Sequence, residues 1–426
     1  MTQEARTSAN TRILLCHTDS PGFSAIFAVA TPIPDASGIA HVVEHLVFRS
    51  STRYPEAHNL FAALALLPVK INATTLAGIT YYFIETEHER LFYQALEFVY
   101  AGLIHCTYRS DDIKREKDGV IFQELTFRER QPGYEAHITD LMAEGRHTEA
   151  VAGGFSGGLA QLNESAINTY KATCYSPQNI TLLMNNGDIH NVTTLLDIAA
   201  AQESIRPYTN YKTGDGNFGD NNCASESAGQ KQRPTNTNDS NTTSKVQPRP
   251  EQSKMLSRGI AALIECFINE EIQTDSADSS HYENTVISVP FEYLNSSRVA
   301  LFPPIMTNNQ ASFVREAKSS GQFPFNTLPS LPKYVLNNWE RFHPFLQVKN
   351  AHNDWYYAFP MADKILPRLE ALLMREKFWS PRISGDCYAQ GIGLHEQNVV
   401  VYAINDAAAA NRKAFCEQLR AQLFDV

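Results

Sequence analysis

Two histidines four residues apart, with a carboxylate between them, are the residues of this chain best suited to chemistry: His41-Val-Val-Glu44-His45. On a helix, positions i and i+4 lie one turn above each other, so both imidazoles can face a single metal ion. Glu44, three after His41, faces the same point, where it can take a proton from a water at the ion without being a ligand. A structural zinc site closes with four protein ligands, whereas a catalytic one keeps three and leaves a position open. A third ligand is therefore required. The run from Ile113 to Leu125 reads as a helix with Ile113, Val120, Ile121 and Leu125 as its apolar positions and Glu124 beside that stripe. Unpaired burial of a carboxylate is costly, and a metal ion is a partner that removes the cost. Glu116, two turns earlier, either orients one of the histidines from behind or belongs to a solvated face of the charged run from Lys114 to Asp118.

The elements that must position these residues can be read from periodicity. Strands over Ser24 to Thr31, Thr80 to Glu85 and Ile180 to Asn185 alternate with helices over Gly38 to Arg49, His88 to Ile104 and Asp111 to Arg128, the pattern of an α+β fold. Further on, Asn284 to Pro290, Asp354 to Phe359 and Asn398 to Ile404 read as strands, and Met361 to Trp379 and Ala407 to Phe424 as helices. A strand, polar turn and helix recur at Tyr81 to Glu85 and at Val399 to Ile404, which suggests two related sheet-plus-helix domains, 1–208 and 258–426. Between them, residues 209–257 are dominated by Asn, Ser, Thr, Gln, Gly and Asp. So few apolar residues cannot offset the entropy of ordering, and a flexible low-complexity linker is expected there.

Composition narrows the function. A formal charge of −10 over 426 residues argues against nucleic acid as a partner and suits basic peptides. The apolar run Leu60 to Leu67 falls well short of the roughly 18 residues needed to cross a bilayer, so no membrane partner is expected. The start has no basic-then-apolar leader pattern, and seven cysteines without a C-x-x-C pair fit a reducing compartment; the expected location is cytoplasmic. A rival catalytic motif, Gly154-Phe-Ser156-Gly-Gly158, fits G-x-S-x-G, but the residues before it make a poor strand, so a glycine-rich loop is the expected reading.

Several segments then fall in a familiar order. They are Thr31 to His41 with Ser51 to Pro55, Ile71-Asn72-Ala73-Thr74 with Thr80 to Phe83, Gly119 to Leu125, and Tyr175 to Asn179 with Gly187 to Ile189. Through them the chain resembles the pitrilysin/insulinase superfamily of inverted-motif zinc metallopeptidases, most nearly its presequence-protease branch. The resemblance implies domains of the mitochondrial-processing-peptidase-like type. It also implies one zinc ion held by His41, His45 and Glu124, with Glu44 as general base and Glu116 behind the ligands. Asn72 corresponds to a strand asparagine that holds substrate backbone, though an ordinary turn asparagine is the alternative. Arg382-Ile-Ser-Gly-Asp-Cys-Tyr388 resembles an arginine-and-tyrosine element that family members bring to the metal from another domain, where it would meet the oxyanion of peptide hydrolysis. The expected function is a zinc-dependent metalloendopeptidase of short or unfolded peptides. Full-length members have four such domains, so a homodimer, or a heterodimer with a second half-chain, is expected. The alternative is a non-catalytic relative acting as a structural or substrate-binding subunit.

Overall fold

Short, mostly apolar runs bounded by turn residues build the first sheet, whose central strands are buried on both faces. The computed structural model describes residues 2–18, 22–201, 345–348, 353–360, 366–395 and 398–424, with Ile260 and Leu263. Six strands, β1 (Thr2–Arg6), β2 (Arg12–Cys16), β3 (Phe23–Thr31), β4 (Val69–Thr75), β5 (Gly78–Thr86) and β6 (Ile180–Asn185), form one sheet in the order β1-β2-β6-β3-β5-β4. The β2–β6 pair is parallel and its other pairs are antiparallel. Successive side chains of a strand point to opposite faces. Accordingly Phe27, Val29, Ile71, Ala73, Tyr82 and Ile84 pack under the helices, while Ile26, Ala28, Tyr81 and Phe83 join a second cluster with Ile260 and Leu263.

The helical face is covered by α1 (Ile39–Arg49), α2 (Asn59–Leu66) and α3 (Glu89–His105), followed by α4 (Ser110–Lys114), a π-helical turn at Arg115–Val120 and α5 (Ile121–Glu129). Then come α6 (Tyr134–Ala143), α7 (His147–Val151), α8 (Glu164–Cys174) and α9 (Ile189–Ala200). Helices α8 and α9 begin with side-chain caps: Asn163 accepts the Ala166 N–H at 2.9 Å and Asp188 the Asn191 N–H at 2.7 Å. Such caps satisfy amides that the first helical turn leaves without a partner.

A second, four-stranded antiparallel sheet has the order β7-β8-β10-β9, with β7 at Phe345–Val348, β8 at Asp354–Pro360, β9 at Cys387–His395 and β10 at Asn398–Asp406. Its helices are α10 (Leu366–Leu373), α11 (Ser380–Ile383) and α12 (Arg412–Phe424). One apolar cluster runs through both regions, and Phe61 of α2 meets Trp379 with ring centroids 5.7 Å apart.

The α+β expectation holds, and the strands expected at residues 24–31, 80–85 and 180–185 fall there to within two residues. Three helices differ in detail, the first being Asp111 to Arg128, which the π turn interrupts. The stretch from Met361 to Trp379 is not one helix, because α10 ends at Leu373 and a 3₁₀ turn follows at Glu376–Trp379. There the Trp379 indole N–H donates to the Leu373 carbonyl at 2.7 Å, satisfying a helix-end acceptor that would otherwise be buried without a partner. The helix expected from Ala407 starts at Arg412 after a 3₁₀ turn, held by the Arg412 pair with Asp406 at 2.8 Å. The expected linker at 209–257 and the strand at Asn284 to Pro290 lie outside the described residues.

Candidate metal centre

Helix α1 is buried along almost its whole length, which fixes the direction in which His41 and His45 point. Their ring centroids are 4.9 Å apart in an edge-to-face arrangement. The Nε2 atoms of both turn toward one carboxylate: His41 Nε2 is 3.6 Å from Glu124 Oε1 and His45 Nε2 is 3.4 Å from Glu124 Oε2. Candidate ligand atoms of the three residues all lie within 4.8 Å of one another.

The far side of each ring is also held. His41 Nδ1 is 3.0 Å from the Gly153 carbonyl and His45 Nδ1 is 3.1 Å from Glu116 Oε2. A carbonyl oxygen can only accept, so the neutral, metal-binding form of His41 carries its proton on Nδ1 and presents a lone pair at Nε2; the Glu116 carboxylate favours the same tautomer in neutral His45. Two lone pairs and a carboxylate converging on one point, with carbonyl and carboxylate partners behind, are a donor set that fits a zinc ion.

Two close approaches of glycines build this arrangement. Gly38, with φ +78°, begins α1, and a Cβ on Gly154 would lie 2.5 Å from its Cα. Only glycine at both points lets the loop come near enough for the Gly153 carbonyl to reach His41. The second lies in the helix that carries Glu116 and Glu124. Eight residues on an ideal α-helix turn a side chain about 80° away from its starting face, which would separate the two carboxylates. The π turn at Arg115–Val120 absorbs one extra residue and brings the offset to about 20°, so both face α1. Gly119 sits in that turn, where a Cβ would lie 2.6 Å from the Gly385 carbonyl oxygen.

Electrostatics follow from this crowding. Burial raises the Glu44 carboxyl above its usual range and Glu124 adds to this, while His41, His45 and the Thr75 hydroxyl oppose it. Burial raises the Glu116 and Glu124 carboxyls as well, yet their partners outweigh it and hold both low: Arg382, His45 and Arg49 for Glu116, and the His41 and His45 rings for Glu124. Burial lowers His45, but Glu116 and Glu124 override this and push it up to about 9. Without a metal, the His45 ring therefore sits as a cation between Glu116 and Glu124, a place a dication bound to the neutral ring would take over.

Arg49 lies one turn beyond His45 on α1, and its guanidinium donates to Glu116 Oε1 at 2.7 Å and to the Ile383 carbonyl at 2.8 Å, with Asp112 Oδ1 at 3.3 Å. It therefore joins the carboxylate behind His45 to the second region. Its i+4 spacing from His45 was a signal that sequence reasoning passed over. Thr75 was also missed; its hydroxyl donates to Glu44 Oε2 at 2.5 Å.

Arg382 is 7% exposed, with Nη1 3.6 Å from Glu116 Oε2 and its guanidinium over the Phe61 ring at 5.2 Å. Tyr388 is buried at the start of β9, its ring stacked on Phe127 at 6.0 Å. Asn72 lies on β4, the edge strand, half-buried and accepting the Ala73 N–H at 2.9 Å. The structure thus brings together His41, His45, Glu124, Glu44 and Glu116, and brings Arg382 to Glu116. Ser156 is committed elsewhere: its hydroxyl donates to Glu129 Oε2 at 2.6 Å, and the short helix α7 rather than a strand precedes its loop. A second cluster, Glu56, His58 and Glu376, joins the two regions, but both of its glutamates are exposed.

Residues 33–153 match the family described as insulinase, peptidase family M16. An uncharacterized protein of Saccharomyces cerevisiae is 26% identical over 193 residues, which cover 42% of this chain and 19% of that protein. The chain thus spans about a fifth of the length of the curated relative it matches. Among solved structures, a protease from Helicobacter pylori is similar with a TM-score of 0.40 and 18% identity, over 49% of this chain and 52% of that one. Pitrilysin gives a TM-score of 0.41 and 18% identity, over 49% of this chain and 24% of that one. Among the described residues no helix is long and apolar enough to cross a membrane.

Proposed function

Given that the chain belongs to the pitrilysin/insulinase superfamily through residues 33–153, we propose that it is a zinc-dependent metalloendopeptidase of short or unfolded peptides. The observation that carries this reading is the convergence of His41, His45 and Glu124 beside Glu44, with both histidine Nδ1 atoms engaged behind. A zinc ion held by those three side chains would supply Lewis acidity, acidifying water and polarising the peptide carbonyl. Glu44 takes the proton of the attacking water and returns it to the departing amine, a role that its raised pKa suits. Arg382 and Tyr388 donate to the carbonyl oxygen as negative charge builds there, and Asn72 holds substrate backbone along the open edge of β4. The presequence-protease branch, a cytoplasmic location and an assembly as a homodimer or with a second half-chain belong to the same proposal. So do the domain limits 1–208 and 258–426.

The test is zinc analysis of wild type and His45→Ala, together with cleavage of a quenched basic peptide by wild type and Glu44→Gln. One zinc per wild-type chain, cleavage by wild type, and a Glu44→Gln variant that holds zinc but is inert support the peptidase. Zinc without cleavage in wild type favours a non-catalytic relative, and absence of zinc removes the site assignment.

A further inference from the structure

We propose that Thr75 is the positioning residue of Glu44, and that a chain of threonine hydroxyls, half-buried at Thr75 and buried at Thr80 and Thr31, fixes the direction of the proton it offers. This rests on the peptidase reading for its effect on rate, though not for its geometry. Thr75 Oγ1 donates to Glu44 Oε2 at 2.5 Å, lies 3.3 Å from Thr80 Oγ1, and Thr80 Oγ1 lies 2.8 Å from Thr31 Oγ1. Thr31 and Thr80 are fully buried, so water does not compete for these hydroxyls.

Each hydroxyl has a single proton. Thr75 gives its proton to the carboxylate, so along this chain it accepts from Thr80, and Thr80 in turn accepts from Thr31. The order Thr31 to Thr80 to Thr75 to Glu44 aligns three O–H dipoles toward one carboxylate oxygen, and such chains strengthen each bond they contain. The consequence for Glu44 is geometric. With Oε2 engaged from the sheet, Oε1 is left as the oxygen that meets the attacking water, and rotation about the last side-chain torsion is suppressed. That torsion is broad and roughly two-fold when unrestrained.

The fold supplies the chain through a hairpin. Thr75 and Thr80 stand opposite each other where β4 turns into β5, and the Leu76 N–H donates to the Ile79 carbonyl at 2.8 Å to close the turn. Thr75 follows Ile71 and Ala73 with period two, so it lies on the face of β4 covered by α1. The strand edge at which a peptide would bind and the hydroxyl that orients the base are thus parts of one rigid hairpin.

The full chain carrying Thr75→Val, Thr75→Ser or Thr80→Val tests this. Valine keeps the β-branched shape and removes the hydroxyl. In Thr75→Val one zinc per chain and an unchanged KM are expected, with kcat down about ten- to a hundredfold, the scale of a misplaced catalytic group. Thr75→Ser restores kcat to near wild type, and Thr80→Val gives a smaller loss of the same kind. A crystal structure of Thr75→Val shows Glu44 rotated or in two conformers, and Thr75→Ser shows it as in wild type. Wild-type kcat in Thr75→Val, equal impairment in Thr75→Ser, or an unmoved Glu44 in the Thr75→Val crystal each overturns the proposal. If wild type itself does not cleave, the peptidase reading fails, and the two crystal structures decide the positioning role alone.

Discussion

Helix α1 and the α11–β9 segment contribute to the same place in opposite ways. On α1, residues one turn apart carry His41, His45 and Arg49; burial of the helix against the sheet aims the two rings, and the Gly153 carbonyl and Glu116 hold them. On α11 and β9, Arg382 reaches Glu116 and Tyr388 stacks on Phe127 of α5 only because a second region docks. Gly385 packs onto Gly119 in the π turn, Arg49 donates to the Ile383 carbonyl, and the Asn405 amide donates to the Gln123 carbonyl at 2.6 Å. The proposed ligands are a local property of one helix and its neighbour, whereas the proposed oxyanion donors depend on a tertiary contact. The Arg382 pairing with Glu116 also shows that docking touches the ligands from behind, through the carboxylate that holds His45.

This contrast can be broken by substitution. His45→Ala removes a ligand and is expected to abolish both zinc binding and cleavage, read by metal analysis. Next in size, Glu44→Gln leaves zinc bound and lowers kcat by about 10²–10⁴-fold, the usual contribution of a general base, read with the quenched peptide. Two further variants separate what docking does. Arg382→Met lowers kcat by about a hundredfold or more with zinc affinity retained if the guanidinium meets the oxyanion. Glu116→Gln instead weakens zinc affinity by about 10–100-fold, measured by competition with a chelator, because it loosens His45. A loss of zinc affinity in Arg382→Met of the same size as in Glu116→Gln would assign Arg382 to the ligand-orienting network alone. Smallest is Gly385→Ala, where the new methyl would lie 2.5 Å from the Arg115 carbonyl oxygen. It is expected to cost about 1–3 kcal/mol of stability by overpacking, read as a lower melting temperature, with zinc still bound.

The same contrast explains what could be read from the sequence. His41, Glu44 and His45 were legible because helical spacing alone joins them, and Glu124 because a charge beside an apolar stripe needs a partner. The sheet strands were legible where a short run rich in apolar, aromatic and β-branched residues is bounded by turn residues, as in β3 and β5, both buried on two faces. The π turn was not, since the phase shift of one extra residue is hidden in a helical run with so few apolar residues, although Gly119 inside that run was a mark of it. Strand β9 was missed because its residues were read only as a motif. Thr75 gave only the weak signal of lying two residues past Ala73 on the same strand face, and its value depends on Thr80 and Thr31, which the chain brings near only on forming the sheet.

The central claim is that His41, His45 and Glu124 hold one metal ion beside Glu44. Anomalous diffraction at the zinc edge from crystals of the zinc-loaded wild-type chain tests it most directly. The account expects one strong peak at about 2.0–2.2 Å from Nε2 of both histidines and from a Glu124 oxygen. A zinc peak elsewhere, as between Glu56, His58 and Glu376, with none at α1, would contradict it.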